Sequence, residues 1–167
     1  FRSHNPVDLI LMDVYTDHRE NGLLAAKQIK QSHPDVKIII VTSLPEISFI
    51  EKARNDAHCE SFWYKEHDDI SLLEIIDRTM AGESIYPETS PTIEIGCAKT
   101  IEFTKTEIKV LRALCEGKLN KDIAAELGMT ENTVKFHIKN MLSKSGYNSK
   151  YQLAIDAVEQ KAIVPGF

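Results

Sequence analysis

The chain has 167 residues, 43% of them hydrophobic and 27% charged, with a net charge of −5. This length holds one large domain or two small ones in a composition ordinary for a soluble globular protein, and no apolar run is long enough to span a bilayer. Residues 1–98 carry 9 Lys/Arg against 17 Asp/Glu, a balance of −8, and residues 99–167 carry 11 against 8, a balance of +3. An acidic half and a mildly basic half predict two domains, with nucleic acid as a partner of the second.

In chain order, residues 7–12 read as a buried strand, apolar on both faces apart from Asp8 and ending at Asp13. Residues 22–31 place Leu23, Ala26 and Ile29 at helical spacing ahead of Pro34. Residues 36–41 form a second buried strand ending at Thr42, and Pro45 suits the first turn of a helix running to about residue 55. Residues 61–64 are a third strand ending at Lys65. A helix over 70–81 stops at Gly82. Strands alternating with helices predict a parallel sheet covered on both faces. Residues 83–101, with Pro87 and Pro91 and no sustained period, read as a linker.

The second half, 102–167, reads as four helices. Thr104 and Glu107 make a capping-box pattern ahead of Ile108, Leu111, Leu114 and Cys115, and Gly117 ends that helix. Ile123, Ala124 and Leu127 mark the next. Thr130 caps the third, on which Val134, Ile138, Met141 and Leu142 form an inward stripe, with Asn132, Lys135, Phe136, Lys139 and Ser143 on the other side. His137 borders the stripe and fits either packing or a DNA contact. Leu153, Ala157 and Val158 mark the fourth. Two short helices joined by a Gly turn, the second carrying cations opposite its packed face, are the pattern of a helix-turn-helix. An exposed Phe136 beside them suits a thymine methyl. Cys59, Cys97 and Cys115 are scattered without ligand spacing and read as reduced core thiols of a cytoplasmic protein.

Ligands of parallel sheets sit beyond the C-terminal strand ends. There the first half offers Asp13, Thr42 and Lys65 in that order. A carboxylate can accept a phosphoryl group, and a hydroxyl and an ammonium can bind its oxygens. An Asp-nucleophile phosphatase of the haloacid-dehalogenase type would need a second Asp at position 15, which is Tyr15.

With Leu9-Ile10-Leu11-Met12-Asp13, Ile38-Ile39-Ile40-Val41-Thr42-Ser43 and Phe62-Trp63-Tyr64-Lys65, residues 1–82 resemble the receiver domain of two-component response regulators, a flavodoxin-like α/β fold. The resemblance implies phosphorylation of Asp13 by a sensor histidine kinase. It also implies phosphoryl contacts from Thr42 and Lys65, a rotating switch aromatic at Phe62, and Mg²⁺ at Asp13 and the Tyr15 carbonyl. The first two strands and helices of such a domain, on the order of 45–50 residues, have no counterpart, which predicts an intact protein of about 210–215 residues. The loop 14–21 lacks the usual Met-Pro.

Residues 102–160 resemble the LuxR-type helix-turn-helix of NarL/FixJ regulators through Phe103-Thr104, Glu107, Leu111, Gly117, Asn120-Lys121, Ile123-Ala124, Leu127, Thr133-Val134-Lys135, His137 and Lys144. That all-α domain implies promoter DNA as partner, with base reading by Lys135, Phe136 and Lys139. Backbone contacts fall to Lys121, Thr130, Asn132 and Thr133, and a homodimer forms through Leu153, Ala157 and Val158. Autoinducer receptors and sigma factors share the module, but the Asp13, Thr42, Lys65 order argues against both. The alternative is a LuxR-type factor with a degenerate receiver, working without phosphorylation.

Overall fold

The computed structural model describes residues 7–15, 21–65 and 70–166. They form two compact units, Phe1–Pro91 and Thr92–Phe167.

In the first unit, β1 (Leu9–Met12), β2 (Lys37–Thr42) and β3 (Ser61–Tyr64) make a parallel sheet in that order. Ile38, Ile39 and Ile40 are fully buried because β2 is central and covered on both faces. Helix α1 (Gly22–Ser32) starts where the Asn21 side chain accepts from Leu24 N, and Gly22 is required there. A Cβ on Gly22 would lie 1.9 Å from the carbonyl oxygen of Asp13. Helix α3 (Leu72–Met80), capped by Ser71, buries Ile75 against Ile39 and Val41. Its C-terminal carbonyls, Thr79 O and Met80 O, accept from Lys37 Nζ at 2.6 and 3.0 Å.

Three expectations change here. β1 is not buried on both faces: among the described strands it pairs with β2 alone, and Leu11 is 47% exposed. Apolar content reports burial on average and cannot tell an edge strand from a central one. The helix after β2 does not begin at Pro45. The buried Glu46 carboxylate accepts from both the backbone N–H and the hydroxyl of Ser48, at 2.9 Å each, and holds the chain in a turn. Helix α2 therefore spans Phe49–Glu51 and continues as a π-helical turn, Lys52–Asp56. Residues 16–20 of the loop without Met-Pro lie outside the described residues.

The third change is in the stretch read as a linker. It contains a hairpin, β4 (Glu94–Ile95) and β5 (Ala98–Lys99), whose Ile95 and Ala98 are fully buried in the second unit's core. A single turn of 3-10 helix, Thr100–Glu102, leads into α4 (Lys105–Cys115), which has the expected capping box. Then come α5 (Asn120–Glu126), α6 (Glu131–Ser145) and α7 (Lys150–Glu159). Their apolar stripes meet in one core that includes Val110, Leu111, Ile123, Val134, Met141, Leu153 and Ala157. Among the described residues, no helix is long and apolar enough to cross a membrane.

Candidate functional site

The sheet of the first unit brings two of its three polar strand ends into contact. Lys65 Nζ lies 2.7 Å from Asp13 Oδ2, with both side chains partly exposed. Asp13 Oδ1 accepts from Tyr15 N at 3.2 Å. Thr42 ends the strand between them and is fully buried, its hydroxyl accepting from Leu44 N at 3.1 Å. Phe62 is fully buried, edge-on to Tyr64 at 4.8 Å between ring centroids. Mg²⁺ demands several oxygen ligands. Among the described residues no group of three His, Cys, Asp or Glu is placed to hold a metal, and Lys65 holds an oxygen of Asp13. Asp13 with the Tyr15 carbonyl therefore does not fit a Mg²⁺ site by itself.

In the second unit, α5 and α6 are joined by a turn through Gly128. The Thr130 hydroxyl accepts from Thr133 N at 3.1 Å and pairs with the Thr133 hydroxyl at 2.9 Å, fixing the first turn of α6. Val134, Ile138 and Met141 are buried, which forces Asn132, Lys135, Phe136 and Lys139 outward. Phe136 is 59% exposed, and its ring sits edge-on to the half-buried His137 at 5.7 Å. The charges divide in the same way. Lys118 is paired with Glu116 and Glu126, Lys144 with Glu107, and Lys150 donates to Asn120 Oδ1 at 2.8 Å. Lys121, Lys135 and Lys139 are exposed, and among the described residues none of them is in an ion pair. α6 thus presents two cations outside any described ion pair and an apolar ring on its outward side.

The bacterial regulatory proteins of the luxR family match residues 102–157. The response regulator VraR of Staphylococcus aureus (strain NCTC 8325) is 31% identical over 161 residues, covering 93% of this chain and 76% of that protein. VraR of Staphylococcus epidermidis is 30% identical over the same length. The chain belongs to the response regulators that carry a luxR-type helix-turn-helix. Such a regulator is a transcription factor and not an enzyme. Its fold matches a structure of two RcsB dimers bound to two parallel DNAs with a TM-score of 0.53 at 20% identity, over 96% of this chain and 77% of that one. An RcsB–DNA complex matches with a TM-score of 0.50 at 20% identity, over 93% and 75%.

Two sequence-based assignments need correction. Leu153 and Ala157 are fully buried within the second unit's own core and are not available to a partner. The apolar residues that α7 exposes are Tyr151, Ile155 and Val158, at i, i+4 and i+7. A stripe read from spacing alone is compatible with either face. Cys97 is exposed on the β4–β5 turn, whereas Cys59 is buried and Cys115 partly so. Sequence reasoning also missed that Lys144 is an internal tie. Its position in the last turn of α6 was the available signal.

Proposed function

We propose that this regulator binds promoter DNA through α6 as a homodimer, and that phosphorylation of Asp13 by a sensor histidine kinase controls it. The observation that carries the DNA reading is the outward row of Lys135, Phe136 and Lys139 on a capped, core-anchored helix whose remaining lysine, Lys144, is paired with Glu107. Lys135 and Lys139 read base edges and Phe136 meets a thymine methyl. Lys121, Thr130, Asn132 and Thr133 approach the phosphates. Tyr151, Ile155 and Val158, with Val158 the part retained from the sequence reading, supply the partner surface on α7.

Asp13 is the phospho-acceptor in this reading. Lys65, already 2.7 Å from its carboxylate, and Thr42 hold the added charge, and Phe62 responds. In a second reading the receiver works without phosphorylation, and the Lys65 ammonium serves only to neutralise Asp13, whose Oδ2 it already holds at 2.7 Å.

Base contacts are worth about 1–3 kcal/mol of discrimination each. Lys139→Ala should therefore weaken binding to a duplex selected by the wild-type chain more than binding to random DNA at the same salt. Equal losses on both would make Lys139 a phosphate contact only. Incubation with a small phosphodonor and Mg²⁺ separates the two modes. A mass increase of one phosphoryl group that Asp13→Ala abolishes supports phosphorylation, and an unchanged mass supports the second reading.

A further inference from the structure

The outer edge of β3 is covered by the segment that leads out of the first unit. Ser84 Oγ donates to Glu60 O at 2.6 Å, Phe62 N donates to Ile85 O at 2.9 Å, and Ile85 N donates to Ser61 Oγ at 3.1 Å. The Tyr86 hydroxyl donates to Cys59 O at 2.7 Å. Ser90 accepts from the Tyr64 hydroxyl at 3.4 Å and donates to Ile47 O at 3.3 Å. Residues 84–90 are thus a strap laid along the strand.

Its centre brings three side chains together. The Tyr86 ring lies 6.4 Å from the buried Phe62 ring, and the guanidinium carbon of Arg54 sits 4.3 Å over its centroid. Arg54 belongs to the π-helical turn, where Ala57 N donates to Lys52 O. Such turns are irregular and recur at functional positions. Beyond the strap, the second unit takes hold almost at once. Thr100 N donates to Ile93 O at 2.8 Å, and Ile93 N donates to Thr100 Oγ1 at 3.1 Å. Only Pro91 and Thr92 lie between Ser90, held by the first unit, and Ile93, held by the second.

We propose that Tyr86 is a latch. Held by its contacts with Phe62 and Arg54, it keeps the strap on β3 and the connection between the units two residues long. When Phe62 moves, Tyr86 loses its inner support, the strap lifts, and the free connection lengthens to include residues 84–92. A longer tether widens the range of positions that the DNA-binding unit can reach. The latched chain is therefore the restrained form, and release lets both DNA-binding units of the proposed homodimer reach paired half-sites, so the released chain binds such a duplex better. This rests on the proposed reading in which the first unit controls DNA binding by the second.

The test uses the full chain as wild type, Arg54→Ala, Tyr86→Ala and Tyr86→Phe. Hydrogen exchange at the Phe62 and Ile85 amides reads the strap, and affinity for a duplex selected by the wild-type chain reads its consequence. Emission from Trp63, the single tryptophan, whose Nε1 donates to Ile70 O, reports that the sheet is intact. Arg54→Ala and Tyr86→Ala should each raise exchange about tenfold and tighten DNA binding at least threefold, with Trp63 emission unchanged. Tyr86→Phe keeps the ring and should stay near wild type. Arg54 is exposed, so its substitution carries the test should Tyr86→Ala fail to fold. Unchanged exchange in Arg54→Ala overturns the latch. Raised exchange with unchanged or weakened DNA binding overturns its regulatory role. Failure of the wild-type chain to prefer any duplex over random DNA overturns the DNA-binding reading instead.

Discussion

Lys144, in the last turn of α6, places its Nζ 2.7 Å from Oε2 of Glu107 in the first turn of α4. The same ammonium donates to Glu102 O at 2.8 Å and lies 5.8 Å from the centroid of the Phe103 ring. Oε2 of Glu107 also accepts from Thr104 N at 2.7 Å, so one buried carboxylate oxygen joins a helix cap to the far end of α6.

Lys144→Ala leaves that oxygen short of a donor and should cost the second unit about 1–3 kcal/mol in urea unfolding. The pH profile should carry the same signature. Burial raises the Glu107 pKa, but the hydrogen bonds from Lys144 and Thr104 outweigh it and hold the carboxyl below its usual value. A depressed carboxylate contributes stability above the unfolded pKa, and that contribution is lost as pH falls through the folded one. The second unit should therefore weaken below about pH 4. Glu107→Gln, which cannot titrate, should flatten that limb of the profile.

The α7 face can be divided by substitution. Leu153→Ala opens a cavity in the core and should cost about 2–5 kcal/mol of stability. Ile155→Asp, at a position 58% exposed, should leave the unfolding midpoint near wild type while abolishing paired occupancy of a two-half-site duplex. Footprints showing both half-sites still filled by Ile155→Asp would remove this face from the dimer.

Thiol chemistry should separate the three cysteines. Burial is the main cause that pushes Cys59 and Cys115 up to about 12, so their thiolates are scarce at pH 8. Cys97 is exposed. A chromogenic disulfide reagent should titrate one thiol per folded chain quickly and the other two only after denaturation.

Gly96 turns the β4–β5 hairpin with φ +60°, and a Cβ there would meet Ser145 O at 2.2 Å. Its N–H donates to Asp156 Oδ2 at 2.8 Å, and Cys97 N donates to Ser145 O at 2.9 Å. Gly96→Ala should cost about 1–3 kcal/mol through backbone strain and this collision. Gly117→Ala, with a positive φ but open space around it, should cost less. Thermal unfolding of the two variants gives the comparison.

What the sequence disclosed followed from period and caps. Thr130 and the Thr104–Glu107 box sit where hydrogen bonding requires them, and the row Asn132, Lys135, Phe136, Lys139 was legible because Val134, Ile138 and Met141 leave it no inward option. The order Asp13, Thr42, Lys65 marked the strand ends, but not that Lys65 would hold Asp13 directly. The hairpin escaped because two-residue strands show no period, and Gly96 between Ile95 and Cys97 was its only trace. Leu153 and Ala157 were misassigned because a helix has one apolar spacing whether it faces its own core or a neighbour. Glu46 displaced the start of α2 through a side-chain turn that Pro45 does not reveal.

Ile95 and Ala98 also decide where this protein can be cut and rejoined. A splice at residue 102, where the luxR match begins, would strip two fully buried side chains from the module and set a foreign loop against Ser145 and Asp156. A splice ahead of Thr92 transfers the module whole. Chimaeras that trade receivers among such regulators should therefore keep their function when joined at Pro91.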